Sequence, residues 1–519
     1  MSEESHLCTD SEKLKESISK VIQPDKELKT LPPLFGQPKR ILLIVPPGTP
    51  EESYGRLSAA AGELPMLGLA YIAASLREQG NLVKVIDCEI HGWPISKISE
   101  DIRSFSPDII GMTAYITNMK RCAAVARVAK EINPRITVIL GGPQVSTAPE
   151  EGFHSPDVDI IVISEGEIVI RNVINALGDD HQLKQVKGIW FRDRSGHVIQ
   201  NEQEGLVADI DLFPPPALDL YEMDLYFPPV HIRGEKVAHL MTSRGCPFQC
   251  TFCETKLTFG RSIRYHSIER VLRDLVGLIR QGYKSFQFYD DIFTLNPKRT
   301  EELCCRIIEK GWKIEWICFT RTNCVNDDLL SVMKRAGCYL IVYGCESGDN
   351  ELLKLIKKGL TIEQNLEALW LAKKHGILTL ASFMLGLPTE TYDQSLKTIQ
   401  FALNPCLDYA AFPICEPYPG TELWIDAVKY GTFDTSGRYR NNLLSENAAV
   451  WIPHGRTRKE LEQLSIYAMK RFYFRPRIIW QGFKNFFHLP IKRATNYFIA
   501  GFKYFFFSES DSSVPGTRF

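Results

Sequence analysis

Met241-Thr-Ser-Arg-Gly-Cys-Pro-Phe-Gln-Cys-Thr-Phe-Cys-Glu254 decides how the rest of the chain is read. Cys246, Cys250 and Cys253 stand at C-x3-C-x2-C spacing, and the apolar run Val237-Ala-His-Leu-Met241 leads into them as a buried strand. That spacing folds a loop around a metal centre and presents three thiolates to one side of it. A structural zinc site takes four protein ligands. No fourth Cys or His follows at short spacing; His266 stands alone downstream. Three ligands leave one metal position open, as a catalytic centre needs. Iron–sulfur clusters are held by cysteine thiolates, and a four-iron cluster with three protein thiolates keeps one iron free for substrate. The competing reading is three core or zinc cysteines brought to this spacing by chance.

Downstream of the motif, strands and helices alternate. Ser267–Gln281 has helical spacing and stops at Gly282. Lys284-Ser-Phe-Gln-Phe-Tyr289 reads as a strand ending in Asp290-Asp291, and Thr300–Lys310 as a helix. Ile314–Phe319 is a strand ending in Thr320-Arg321, and Asp327–Ala336 a helix stopped by Gly337. Tyr339–Tyr343 is a strand ending in Gly344-Cys-Glu-Ser-Gly348, and Glu363–His375 a helix stopped by Gly376. Leu378–Phe383 ends in Gly386-Leu-Pro388, and Tyr409–Ile414 is the last strand. Six such units over 237–425 imply a partial (β/α)6 TIM-like barrel, with its chemistry at the strand C-termini.

Upstream, over 38–180, strands are expected at Ile41–Val45, Val83–Ile86, Ile109–Thr113, Thr137–Leu140 and Asp159–Ile163. Helical stretches lie between them, notably Leu67–Gln79 and Met119–Ile132. This alternation implies an α/β domain with a doubly wound, Rossmann or flavodoxin-like parallel sheet. Ligands of such sheets bind beyond the strands' carboxyl ends. Those ends carry Thr113-Ala-Tyr-Ile-Thr-Asn118, Gly141-Gly-Pro-Gln144 and Glu165-Gly-Glu167. Residues 181–236 read as a linker with a β-hairpin turning at Ser195-Gly196, followed by an extended stretch around Phe213-Pro-Pro-Pro216.

The chain's 519 residues suggest roughly three or four domains. A composition of 44% hydrophobic and 24% charged residues suits a large buried core. The net charge of −1 gives no global field for nucleic acid, so no nucleic-acid partner is expected. Fourteen cysteines without a secretory pattern point to a reducing, cytoplasmic setting. Residues 1–37 read as a flexible leader, and no apolar run reaches the roughly eighteen residues of a membrane span.

The cysteine spacing, with Phe252 before its last cysteine, resembles the radical S-adenosylmethionine (SAM) family. Pro65-Met-Leu-Gly-Leu-Ala-Tyr71, the Gly-Gly-Pro-Gln turn and the Glu-Gly-Glu turn resemble the cobalamin-binding domain found ahead of many radical SAM domains. The alternative for that domain is a flavodoxin-like fold binding something else or nothing. The resemblance implies three cofactors: a [4Fe–4S] cluster on Cys246, Cys250 and Cys253, SAM, and cobalamin. For cobalamin it implies Leu67, Thr113, Ala114, Tyr115, Gly141, Gly142, Pro143, Gln144, Glu165, Gly166 and Glu167. For SAM, Asp290 or Asp291 would accept from the amine, where relatives often have Gly-Gly-Glu. Arg321 would pair with the carboxylate, with a structural ion pair as the other reading. Glu346 and Ser347 would bond the ribose, and Gly386, Pro388 and Phe252 would shape the adenine pocket. One departure stands out. Relatives with a histidine under the cobalt carry D-x-H-x-x-G, whereas this chain has Asp87-Cys-Glu-Ile-His91-Gly92, so His91 is read as a loop histidine.

The resemblance implies a class B-type methyltransferase, with 5′-deoxyadenosyl radical chemistry and methyl transfer from methylcobalamin to an unactivated carbon of a small, apolar substrate. An electron donor such as flavodoxin or ferredoxin goes with it. Anaerobic porphyrin-ester cyclases, which share the cofactors without transferring methyl, are the alternative. A cobalamin- or redox-sensing protein with a vestigial barrel is the non-enzyme reading. Over 426–519 a helix at Arg456–Arg471 precedes a stretch rich in aromatic and basic residues, from Phe472 to Phe507. It reads as a helical cap on the barrel; the other reading is peripheral contact with a membrane surface, which flotation with anionic liposomes would test.

Overall fold

The computed structural model describes residues 37–49, 62–229, 231–433 and 451–486, the last four as backbone only. The leader, and the aromatic tail beyond residue 486, lie outside the described residues. The first sheet is built on β1 (Arg40–Val45), whose residues Ile41 to Val45 are all buried. Around it come α1 (Leu67–Glu78), β2 (Leu82–Asp87), α2 (Ile95–Phe105), β3 (Ile109–Thr113), α3 (Met119–Ile132), β4 (Thr137–Gly141), β5 (Ile160–Val162) and α4 (Gly166–Ala176). The strand order β2-β1-β3-β4-β5 is parallel throughout.

Strand side chains alternate between the two faces, and the core divides accordingly. Ile41 and Leu43 pack with Leu69 and Ala73 of α1 and Val169 and Val173 of α4. Leu42 and Ile44 pack with Ile98 and Ile102 of α2 and Val125 and Ala129 of α3. Helices on both faces explain why the central strands β1, β3, β4 and β5 read as mostly apolar runs. The sheet does not end at β5. The hairpin β6 (Ile189–Arg192) and β7 (Val198–Gln200) adds to it antiparallel, so this part of the expected linker is continuous with the first sheet.

The second unit starts with β8 (Val237–Leu240) and the short antiparallel pair β9 (Ser243–Arg244) and β10 (Arg264–Tyr265), which brackets the cysteine loop. Then follow α5 (Ile268–Arg280), β11 (Ser285–Phe288), α6 (Pro297–Glu309), β12 (Glu315–Thr320), α7 (Asp327–Arg335), β13 (Cys338–Glu346), α8 (Ile362–Lys374), β14 (Leu378–Phe383), α9 (Tyr392–Ala402) and β15 (Tyr409–Ala411). The sheet order β8-β11-β12-β13-β14-β15 is parallel at every step, the open six-stranded barrel that the spacing implied. Side-chain caps set the helix starts: Ser267, Asn296, Asn326, Thr361 and Thr391 each accept an amide from the first turn.

Residues 210–226 are wedged between the two units. Ile210 and Phe213 pack on Tyr71, Leu218 and Tyr221 pack on Ala70, and Tyr226 donates to Asp87 at 2.7 Å. The lone His266 is bonded to Asp211 at 2.9 Å, so it serves the fold. At the far end, α10 (Arg458–Tyr473) inserts Leu464, Ala468 and Phe472 into the barrel core, and α11 (Pro476–Phe486) follows it. The described part of the C-terminal segment is therefore a cap. No helix among the described residues is long and apolar enough to cross a membrane.

Candidate functional site

The cysteine loop leaves β9 through Gly245 and returns to β10. Its Thr251 amide donates to Ile356 O at 3.0 Å, and Cys246 N donates to Gly260 O at 3.3 Å. Cys250 is buried, while Cys246 and Cys253 are partly open. Burial raises the thiol of Cys246 to about 11. Among the described residues no three His, Cys, Asp or Glu converge on one ion. The donor set fits a cluster, in which each cysteine takes its own iron, since convergence on one point is then not required. Phe252 leaves the loop to join the apolar group of Leu353, Leu387, Cys415 and Trp451.

Several SAM candidates are turned to other partners. Arg321 is 5% exposed. Its guanidinium donates to Cys250 Sγ at 3.5 Å and to Lys358 O, and it stacks 3.7 Å over the Phe248 ring. It thus holds the cluster loop from below. Asp290 faces inward and accepts from Thr242 Oγ1 at 2.8 Å and Ser243 Oγ at 2.5 Å. Asp291 is the more exposed aspartate; it accepts from Thr255 Oγ1 at 3.1 Å and from the Gly245 amide. Desolvation by the surrounding protein lifts its carboxyl to about 6.

Glu346, at φ +64°, pairs with Lys358 at 2.7 Å with both side chains buried. Ser347 is fully buried and its hydroxyl meets Thr398 Oγ1 at 3.2 Å, so it braces α9. Gly348 serves the same contact, because a Cβ there would lie 2.8 Å from Lys397 O and Thr398 Cα. The Gly386-Leu-Pro388 turn is braced by Glu390, which accepts the amides of Gly386 and Leu387.

One cavity of about 1580 Å³ joins the two units. It runs between the first sheet and α1 and α4, past Leu43, Ile109 and Ile139, and then faces Leu67, Thr113, Tyr115, Gly141, Gly142 and Pro143 at the strand ends. Across the gap it continues past Glu254, Tyr289 and Phe319 into the barrel lumen. Drug-sized pockets span roughly 300–1,000 Å³, so the space suits a larger flat ligand with a tail, and the slot beside the first sheet fits cobalamin. Ala114 and Gln144 stand behind this wall. Ala114 exchanges backbone bonds with Gly141 and Gln144, and the Gln144 side chain donates to Glu151. His91 ends a short helix, Cys88–His91, rather than lying in a loop; its ring stacks on Trp93 at 4.2 Å and its Nε2 lies 3.3 Å from Glu222, off the cavity wall.

The Glu-Gly-Glu turn departs most from expectation. Glu165 and Glu167 border the cavity, but their carboxylates reach across to the barrel. Arg244, two residues before Cys246, donates to Glu165 at 3.1 Å and to Glu167 at 2.6 Å. Arg264 donates to the other oxygen of Glu165 at 2.6 Å. The ion-paired side chains are at most 8% exposed. The Arg244 guanidinium also lies 4.6 Å from the Phe213 ring centroid and 5.2 Å from that of Tyr71. These two glutamates lock the domains together, and the arginines that receive them were not among the expected site residues. Gly166 allows α4 to approach α1, since a Cβ would lie 2.9 Å from Ile72 Cδ1.

Gly142 needs its residue type. Its φ is +101°, and a Cβ would lie 2.8 Å from Thr113 Cγ2 and 2.9 Å from Ala114 O. Gly142→Ala is expected to destabilise the first domain by about 1–3 kcal/mol, read as a lower denaturation midpoint together with weaker cobalamin retention. An unchanged midpoint would rule out this account of the turn.

The B12 binding domain family matches residues 55–174 and the Radical SAM superfamily matches residues 240–402. An uncharacterized methyltransferase of Pyrococcus horikoshii is 36% identical over 457 residues, covering 88% of this chain and 97% of the relative. The chain belongs to the radical SAM family that carries a B12-binding domain. It is an enzyme, and its cofactors are cobalamin, SAM and a [4Fe–4S] cluster. The anaerobic magnesium-protoporphyrin IX monomethyl ester cyclase of Rubrivivax gelatinosus is 30% identical over 373 residues, covering 70% of this chain and 66% of that one. Among solved structures, the radical SAM methyltransferase TsrM of Kitasatospora setae, with cobalamin and [4Fe–4S] cluster bound, superposes with a TM-score of 0.64 at 15% identity. That match covers 85% of this chain and 90% of TsrM and attests the shared fold.

Proposed function

We propose that this enzyme transfers a methyl group to an unactivated carbon of a small molecule held in the barrel lumen. The observation that carries the reading is the cavity: the strand ends of the B12-binding domain, Glu254 beside the cysteine loop, and the lumen wall at Tyr289 and Phe319 border one continuous space. When bound, the cluster and SAM supply radical chemistry and cobalamin supplies the methyl group; the hard chemistry is the cofactors'. The chain's part is to place and seal them. Cys246, Cys250 and Cys253 hold the cluster, with Arg321 positioning their loop from behind. Asp291 would accept a hydrogen bond from the SAM amine, and the Glu390-braced turn at Gly386-Leu-Pro388 would flank the adenine. Thr113 and Gly141–Pro143 would present backbone and small side chains to the corrinoid, with the Tyr115 ring beside them. Arg244 and Arg264 fix the B12-binding domain over the barrel. An electron carrier such as flavodoxin or ferredoxin supplies the reductant.

The relative from Rubrivivax keeps cyclisation as a second reading. SAM labelled in its methyl group separates the two. In extracts supplying the natural substrate, the reconstituted enzyme is expected to move label into a product seen by mass spectrometry. A product formed without label would replace methyl transfer by cyclisation, and no 5′-deoxyadenosine under reduction would remove both.

A further inference from the structure

Two polar groups in the barrel lumen have nothing to bond. His239 on β8 is 2% exposed and Gln287 on β11 is 4% exposed. They are direct neighbours in the parallel register, and both line the cavity. Nε2 of His239 and Oε1 of Gln287 have no hydrogen-bond partner. Side chains two apart on a strand share a face, so this pair lies one layer below Met241 and Tyr289, at the lumen floor. Buried polar groups are normally satisfied, and an unpaired one costs stability. A side-by-side pair of unpaired polar atoms, in side chains that line a cavity, is what a ligand's polar atom would complete once the side chains turn toward it.

The surroundings restrict that ligand. Phe319, Val342, Leu380 and Ala411 make the nearby lumen apolar. Among the described residues lining the cavity, Arg244 is the only Lys or Arg, and its guanidinium is engaged by Glu165 and Glu167. Glu254, Glu416 and Glu462 line it too. A carboxylate or phosphate entering this space would meet acids and no available cation. Burial lowers the imidazole of His239 to about 4, so it stands neutral at pH 7. A neutral imidazole offers one donor and one acceptor, and an amide offers both.

We infer that the lumen binds a neutral, largely apolar substrate whose hydroxyl or carbonyl group is held between His239 and Gln287. This rests on the reading of the lumen as the substrate site. It places the head group at the floor and the apolar body upward, so the carbon nearest the B12-binding domain is remote from the polar group.

The test uses the full chain, anaerobically reconstituted with cluster and cobalamin, and three probes of equal length: 1-octanol, octanoate and 1-chlorooctane, titrated by calorimetry. 1-Octanol is expected to bind and octanoate to bind at least about tenfold more weakly. In His239→Leu/Gln287→Leu the affinity for 1-octanol is expected to fall about tenfold, while that for 1-chlorooctane holds or rises. Iron and cobalamin contents report that the variant is folded. Equal binding of octanoate and 1-octanol, or parallel loss of 1-octanol and 1-chlorooctane in a variant with full iron and cobalamin, overturns the inference. Each single substitution, titrated likewise, settles the matter should the double variant lose its cofactors. Neither result depends on methyl transfer: octanol selectivity without label transfer would keep the lumen assignment and remove only the reaction class.

Discussion

Arg244→Met is expected to destabilise the union of the two domains by about 3–5 kcal/mol, the cost of breaking a buried ion pair from one side. The arginine serves two carboxylates, Glu165 at 3.1 Å and Glu167 at 2.6 Å. Arg264 can still neutralise Glu165, which it already meets at 2.6 Å. Glu167 keeps no ion-pair partner among the described contacts and is 4% exposed. Methionine preserves the volume and its contacts with Tyr71, Phe213 and Phe259, so the loss isolates the charge. The measurement is a denaturant titration followed by limited proteolysis of the 201–236 segment, which would open as the domains part. Restoring Glu167→Gln in the Arg244→Met background should recover much of the loss, because a neutral amide tolerates burial better than an orphaned carboxylate. An unchanged midpoint in Arg244→Met would mean that the lock does not hold the domains.

What was legible in the sequence follows from the range of the interactions. Five strands around Ile41–Val45 and six between Val237 and Ala411 announce themselves because a sheet covered on both faces favours mostly apolar runs. Helix ends at Ser267 or Thr391 are written in the residues themselves. The cysteine spacing is likewise local. Polar residues at strand ends are different: position says that Asp290, Ser347, Glu165 and Glu167 sit at the right rim, but not which way they face. Their partners Thr242, Thr398 and Arg244 come from other elements far along the chain. Each is engaged by a partner that its position in the sequence does not reveal. The reverse case hid His239 and Gln287. Both interrupt an otherwise apolar strand, Val237-Ala-His-Leu-Met241 and Lys284-Ser-Phe-Gln-Phe-Tyr289. A polar residue alternating with buried neighbours on two successive barrel strands was the available signal for a lumen site.

The lock also bears on chemistry. Arg244 lies in the short strand that leads through Gly245 to Cys246, so the residues fixing the B12-binding domain are covalently continuous with the cysteine loop. Motion of one domain against the other would be felt at the cluster position, and preorganisation of that kind is worth more than any single contact to a reaction needing its parts held in line.

Cys250→Ala is expected to abolish cluster assembly and bring reductive 5′-deoxyadenosine formation down to that of protein lacking iron. The loop offers three thiolates, so the substitution leaves two. Cys250 is the most enclosed of the three at 8% exposed, and its sulfur also receives the Arg321 guanidinium at 3.5 Å. Removing it takes away an iron ligand and leaves that N–H without its acceptor. Cobalamin retention should persist, because the slot between the first sheet, α1 and α4 contains none of the cluster loop. Cys122→Ala, a buried first-domain thiol far from the loop, is the matched control and should keep its iron. Iron analysis, the cluster's visible absorbance and 5′-deoxyadenosine yield read the outcome. A Cys250→Ala protein that kept full iron and still cleaved SAM would remove Cys250 from the ligand set, and a loss of cobalamin in parallel would show that the two cofactor sites fold as one unit.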